Sequence, residues 1–316
     1  MKQVIIGIHG IGNKPSKEIL AGWWKESMHE GLRRNNFPVR HFSFEMVYWA
    51  DLLHKTPLDP AVTDRNNSSF MVERYTPEAH SVIKHAGFRQ KAIEYLEKYY
   101  DKLIVNGVLS LENKTITEWF IHLHMKDLES YYSPTYIKID GKKILVREAI
   151  IERLVKVLEK HKGKRILLLA HSMGSIIAHD TLIEKIPGIK IDTLVTIGSP
   201  LGQRYVLDSY KKELEEKSIN KFVTPENVQK AWFNLSDLED QVAINNKLAN
   251  YYKSNSQGIT VKDTIIKNTY TYDGISNPHK SFGYLRTREV AEIISAFISS
   301  EEKRLINWIK RIFSRN

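Results

Sequence analysis

The chain has 316 residues, 42% hydrophobic and 27% charged, which is enough apolar material for a packed core and excludes a disordered polymer. Lys and Arg number 47 against 37 Asp and Glu, a formal charge of +10 that favours anionic surfaces but is spread along the sequence and singles out no partner. There is no cysteine, which excludes disulfides, cysteine-containing metal sites and thiol catalysis.

The elements follow in chain order. Val4, Ile5, Ile6, Gly7 and Ile8 form a short apolar run that stops at His9. It is too short for a signal-peptide core and suits a strand buried on both faces of a parallel sheet. No stretch reaches the roughly 18 apolar residues that span a bilayer, so a soluble, unexported, cytoplasmic protein is expected. A helix is expected over 17–34 and a second strand over 39–49. From 51 to 139 the pattern loosens into helical pieces, at 88–100 and 116–131, and turn-rich pieces around Pro57 and Pro60. This span reads as an insertion covering the sheet.

Regularity returns near Val146. Ile150, Ile151, Leu154, Val155 and Leu158 recur at helical spacing, and Gly163 ends that helix. A buried strand is expected at 165–170, a helix at 175–185 and a strand at 191–197. Weaker strands are expected at 231–235 and 269–272, and a last helical region from about 287 onward. Strands alternating with helices give an α/β fold with a mainly parallel sheet flanked by helices.

The most informative segment is Leu167-Leu168-Leu169-Ala170-His171-Ser172-Met173-Gly174. Here a buried strand meets a helix across a tight turn with serine at its apex. Such a turn lifts the hydroxyl above the sheet edge and needs small residues two before and two after, where backbones crowd. Ala170 and Gly174 fill those places, alanine standing where glycine is usual. The free N–H groups of the helix N-terminus add stabilisation for negative charge beside the serine.

These residues resemble the α/β-hydrolase superfamily, and within it the lipase-like serine esterases. The resemblance rests on His9-Gly10-Ile11-Gly12 after the first strand, on Ala170-His171-Ser172-Met173-Gly174, and on Thr196-Ile197-Gly198-Ser199-Pro200. It covers the two flanking thirds of the chain and not 51–139. In the family the HG-type loop follows the third strand of the sheet, so the first two strands are expected to be lacking. The family order of catalytic groups is serine, acid, histidine. Only His179 and His279 follow Ser172, and His179 lies about 10 Å further along the serine's own helix. His279 is therefore the expected base. The acid is expected after the strand at 231–235, where Asp237 and Asp240 both qualify. Asp240 is favoured because Asp240-Gln241-Val242 matches the family's Asp-x-Val turn. By the same resemblance the oxyanion donors are the backbone amides of Ile11 and Met173.

No cofactor is expected. His9-Gly10-Ile11-Gly12-Asn13-Lys14 lacks the Gly-Lys-Ser/Thr ending of a phosphate loop, and His122 and His124 fall on different helical faces, against a metal site. Trp23-Trp24, Tyr99-Tyr100, Tyr131-Tyr132 and Tyr251-Tyr252 read as packing, with no nucleic acid implied. Near the end, Leu305, Trp308, Ile309 and Ile312 share one helical face beside Lys303, Arg304, Lys310, Arg311 and Arg315, with no acid after Glu302. A helix of that composition suits an anionic membrane interface, on the inner membrane surface for a cytoplasmic protein, or docks on its own domain or a partner. The expected organisation is 1–50 as the first part of the hydrolase core, 51–139 as a largely helical cap, 140–300 as the rest of the core, and 301–316 as a basic amphipathic helix. The expected function is a carboxylic-ester hydrolase, esterase or lipase, acting on a small-molecule or lipid ester. An amidase or thioesterase would use the same triad, and a silent hydrolase fold would bind membrane surfaces only.

Overall fold

The computed structural model describes residues 2–77, 126–184, 186, 188–243 and 245–299. The helix expected at 88–100, most of that at 116–131, Tyr99, Tyr100, His122, His124 and the basic segment 303–315 lie outside the described residues. Among the described residues ten strands follow in chain order: β1 (Gln3–Ile8), β2 (Phe44–Val47), β3 (Tyr136–Ile139), β4 (Lys142–Leu145), β5 (Arg165–His171), β6 (Ile191–Ile197), β7 (Val228–Asp237), β8 (Val261–Ile266), β9 (Thr271–Tyr272) and β10 (Ile275–Ser276). Six of them build one sheet in the order β2-β1-β5-β6-β7-β8, with every neighbouring pair parallel. The other four form two small antiparallel hairpins, β3-β4 and β9-β10. Among the described residues this is the sheet of an α/β-hydrolase without its first two strands.

The central strands are apolar on both faces because helices cover both. Val4, Ile6, Ile8, Ile166, Leu168, Ala170, Leu194 and Trp232 face one core, while Ile5, Leu167, Leu169, Val195, Ile197 and Phe233 face the other. The period of two along each strand sorts them. On the first face lie α2 (Val146–Lys160), α3 (Met173–Glu184) and α4 (Arg204–Lys217); on the second lie α1 (Lys17–Arg34), α5 (Ser281–Leu285) and α6 (Arg288–Ser299). Every residue of α3 from Met173 to Leu182 is buried, so the helix that follows the serine is held by packing along its whole length.

Two expectations need adjustment. The second strand is confined to β2, four residues against the eleven expected, and Val39 is exposed. β8 was not expected at all: as an edge strand it reads Val-Lys-Asp-Thr-Ile-Ile, with no continuous apolar run. Helices α1 and α2 and strands β5 and β6 fall where the periodicity places them, to within a few residues. Among the described residues no helix is long and apolar enough to cross a membrane.

A buried ionic cluster ties the first face together. Asp180 on α3 accepts from Arg147 Nη2 at 2.9 Å, Lys221 Nζ at 2.9 Å and Tyr131 Oη at 2.8 Å. Arg147 also reaches Glu184 at 2.8 Å and Glu213 at 2.6 Å, and Lys221 pairs with both glutamates. The cations hold the Asp180 and Glu213 carboxyls below the usual carboxylate range against the opposing effect of burial.

His179, one residue before Asp180, packs on Tyr210, Trp232 and Tyr252 and donates from Nε2 to Val223 O at 3.1 Å. Burial pulls its pKa down to about 4. Between about pH 4 and 6.5 the unfolded chain therefore binds a proton that the folded chain does not. Stability is lost as pH falls through that window, by at most about 1.4 kcal/mol per pH unit for one such group. The expected outcome is a lower melting temperature at pH 5 than at pH 7, with a smaller difference in His179→Gln. A melting temperature independent of pH across this window would contradict the assignment.

Candidate active site

Ser172 sits between β5 and α3 with φ of 53°, in the left-handed region that serine adopts only when its surroundings impose it. Three contacts impose it here. The Ser172 amide donates to Ile197 O at 3.1 Å, and its carbonyl accepts from Ser175 Oγ at 2.6 Å. Gly174 lies so close to β1 that a Cβ there would come within 2.7 Å of the carbonyl oxygens of Ile8 and His9. That crowding is the physical reason for the small residue two positions after the serine.

His279 lies in the loop before α5, with its side chain 29% exposed. Its Nε2 is 3.0 Å from Ser172 Oγ and its Nδ1 is 2.9 Å from Asp240 Oδ2. A carboxylate can only accept, so Nδ1 carries the proton and Nε2 is free to accept from the serine hydroxyl. Asp240 is fully buried and also accepts from Tyr284 Oη at 2.7 Å and from the Val242 amide at 3.0 Å. Among the candidates weighed from the sequence, the structure therefore joins Ser172, His279 and Asp240. Asp237 does not reach the histidine. It accepts from the Glu239 amide at 2.8 Å and from the Asn268 amide, and so anchors Asn268.

Asn268 in turn holds the histidine loop. Its Nδ2 donates to Pro278 O at 2.7 Å and to Lys280 O at 3.0 Å, on either side of His279. Gly283 makes this possible, since a Cβ there would come within 1.7 Å of Asn268 Oδ1. The carbonyl between those two, of His279 itself, accepts from His171 Nε2 at 2.8 Å. All three successive carbonyls are thus occupied, and the imidazole above them is fixed in place. Sequence reasoning missed Asn268, Tyr284 and the part played by His171. Asn268 follows the unrecognised strand β8, and His171 was read only as one residue of the turn.

The loop after β1 lies against the serine. A Cβ at Gly10 would be 2.7 Å from Ser172 Cβ and 3.2 Å from Oγ, so only glycine lets the backbone approach this closely. His9 is stacked on Trp49, accepts from the Trp49 amide at Nε2 and donates from Nδ1 to Gly10 O at 2.8 Å. Ile11 follows Gly10 on this loop, and Met173, the first residue of α3, has an amide without an intrahelical acceptor.

The electrostatics keep the accessory histidines neutral. Burial pushes His171 well below its ordinary value, and the neighbouring His279, Lys14 and Lys280 push in the same direction. Burial lowers His9 likewise, assisted by Lys14. The Lys14 ammonium is itself brought down to about 7 by burial and by Lys280, against the opposing pull of Asp127. Burial, with Asp240 beside it, holds the Tyr284 phenol well above its ordinary range, so it stays a donor to the carboxylate.

Gly198 has φ of 54°, and a Cβ there would lie 2.9 Å from Asp240 Oδ2 and 3.2 Å from His279 Nδ1. Gly198→Ala is expected to cost about 1–3 kcal/mol in chemical denaturation through strain and overpacking. Gly22→Ala on α1, where nothing lies within 4 Å of the added carbon, is expected to stabilise by about 0.5–1 kcal/mol. Equal effects of the two substitutions would refute the reading of Gly198 as a required close approach.

No curated protein matches the sequence. A family match, to the PGAP1-like alpha/beta domain, extends over residues 73–309, three quarters of the chain. It contains Ser172, Asp240 and His279 and begins after the loop that carries Gly10 and Ile11. With its parallel sheet flanked by helices, the chain belongs to the PGAP1-like alpha/beta domain family, a family of the α/β-hydrolase type.

Proposed function

We propose that this protein is a serine hydrolase that cleaves carboxylic esters through an acyl-enzyme, with Ser172 as nucleophile, His279 as base and Asp240 as the orienting acid. The observation that carries the reading is the continuous chain from the strained Ser172 through His279 Nε2 at 3.0 Å and Nδ1 at 2.9 Å to a fully buried Asp240. Such a chain does a defined piece of chemistry. The serine hydroxyl, weak at its own pKa, loses its proton to Nε2 as Oγ attacks the ester carbonyl carbon. Asp240 holds the tautomer and stabilises the imidazolium that forms. The carbonyl oxygen becomes an oxyanion, for which the amides of Ile11 and Met173 are the proposed donors. Collapse breaks the ester C–O bond, and His279 returns its proton to the departing alcohol. Water then attacks the acyl-enzyme with His279 again as base, releasing the acid and restoring Ser172.

The neutral state of His171 supports this reading. A second imidazolium with its ring centroid 4.8 Å from that of His279 would oppose the charge that His279 must acquire. As a neutral donor to the His279 carbonyl it positions the loop without that penalty.

We also propose that the basic C-terminal segment, with Lys303, Arg304, Lys310, Arg311 and Arg315, brings the enzyme to an anionic membrane surface, which fits a lipid-like ester.

A fluorophosphonate probe is expected to label the wild type and not Ser172→Ala. Ser172→Ala and His279→Ala should each reduce hydrolysis of nitrophenyl esters by about 10^4-fold or more, as members of one unit do. Near-normal turnover in either variant would remove that residue from the mechanism, and the chain-length optimum of the wild type separates esterase from lipase. Deleting residues 303–316 should leave hydrolysis of soluble esters intact while lowering retention on phosphatidylserine vesicles. Unchanged retention would reject the membrane part alone.

A further inference from the structure

One peptide group on the loop that brings Gly10 against Ser172 is held at both ends by side chains that take no part in the mechanism above. It is the Ile11–Gly12 peptide. Its carbonyl oxygen, on Ile11, accepts from Lys14 Nζ, and the same ammonium donates to Gly12 O at 2.9 Å. Its N–H, on Gly12, donates to Asp127 Oδ2 at 2.7 Å. Carbonyl and N–H of a peptide point in opposite directions in one plane. A bond at one end would still allow the plane to tilt, whereas bonds at both ends fix it. Gly12 has φ of 85°, a conformation that glycine takes without strain and that turns its N–H to the carboxylate.

Both clamps are themselves secured. Asp127 is 2% exposed, and its oxygens lie 3.1 and 3.2 Å from His54 Nε2. The Lys14 backbone is tied down on both sides: its amide donates to Asn13 Oδ1 at 2.8 Å and its carbonyl accepts from the Leu58 amide at 2.9 Å. Asp127 lies 115 residues along the chain from Gly12, so this contact is a tertiary constraint and not a local turn. A buried carboxylate that reaches from a distant part of the chain to hold one loop amide, and is itself held by His54, needs a reason. The amide of Ile11, the proposed oxyanion donor, is separated from this peptide by one Cα, so the orientation of the plane limits where that donor can point.

We propose that Lys14 and Asp127 are positioning residues that preorganise the oxyanion donor at Ile11 by clamping the Ile11–Gly12 peptide plane from both ends. The proposal rests on the serine-hydrolase reading. It predicts an effect in the transition state and little in substrate binding, because an oxyanion donor matters only once charge has developed on the oxygen.

The test compares Lys14→Met, Asp127→Ala and Asp127→Asn with the wild-type full chain. The readouts are kcat and KM on a nitrophenyl ester, the inhibition constant of an alkyl trifluoromethyl ketone, and the melting temperature. The ketone adds to the serine as a hemiketal whose oxyanion occupies the same position as that of the intermediate. Lys14→Met and Asp127→Ala are expected to lower kcat by about 10- to 100-fold, somewhat less than outright loss of a donor. The ketone should weaken by a similar factor, with KM within about threefold. Asp127→Asn should recover part of the loss, since its amide oxygen still accepts from Gly12. Variants that melt like the wild type yet keep kcat and ketone affinity within about twofold would overturn the proposal. So would a fall in kcat with ketone affinity unchanged, which marks a structural role only. If Asp127→Ala does not fold, Lys14→Met decides alone. A wild type that is neither labelled by fluorophosphonate nor active on esters would instead defeat the serine-hydrolase reading, and this proposal with it.

Discussion

Everything at this site depends on a serine held where serines do not rest. A left-handed φ on a residue with a Cβ costs on the order of 1–3 kcal/mol, and it persists only where the surroundings leave no alternative. Here β5 is locked between β1 and β6 in the middle of the sheet, and α3 is buried from its first residue to its tenth. The chain must pass from one to the other within a single residue. A Cβ at Gly10 would clash with the Ser172 side chain, and one at Gly174 with the backbone of Ile8 and His9. The strain aims Ser172 Oγ out of the sheet, and the packing of two rigid elements sustains it.

Positioning the histidine takes a different physical form. His279 stands on a loop, where no packed helix or strand fixes a side chain, and the loop is held through its carbonyls. Asn268 and His171 donate to three in succession, and Asp237 and Gly283 hold Asn268 in turn. The carboxylate partner is treated more strictly. Asp240 is removed from water and given three donors, His279 Nδ1–H shared between its two oxygens, Tyr284 Oη and the Val242 amide, so its charge is stabilised by dipoles that do not need to reorganise. An imidazolium formed at His279 would face this prearranged anion, with a neutral imidazole behind it.

The described segments on either side of residues 78–125 reach loops of the same site. Glu73 accepts from Asn277 Nδ2 at 2.8 Å and Lys280 Nζ at 3.0 Å, on the histidine loop. Asp127 meets Gly12 on the loop after β1. Tyr131, four residues further on, donates to Asp180 in the ionic cluster beneath α3. Glu73 and Asp127 thus tie these segments to loops beside Ser172 and His279, and a change at either bears on the geometry of the site.

The sequence by itself determined whatever depends on near neighbours. A buried strand running into a buried helix across Ala170-His171-Ser172-Met173-Gly174 requires a tight turn, and the apolar runs at β1, β5 and β6 require a sheet covered on both faces. The order of histidines left His279 as the one able to return to the serine. Both Asp237 and Asp240 qualified from their place after the strand, and only the family's Asp-x-Val turn favoured Asp240. Three residues along one turn separate them, and the direction of each side chain is a matter of tertiary structure. β8 was hidden because Val-Lys-Asp-Thr-Ile-Ile carries neither a continuous apolar run nor a strict polar–apolar alternation. Asn268, Tyr284, Lys14 and Asp127 were hidden for another reason. Asn268, Tyr284 and Asp127 act on groups brought to them by the fold, 115 residues away in the case of Asp127, and Lys14 acts on carbonyls two and three residues back whose placement only the folded loop decides. No spacing or composition records a contact that forms only when the sheet and its loops have come together.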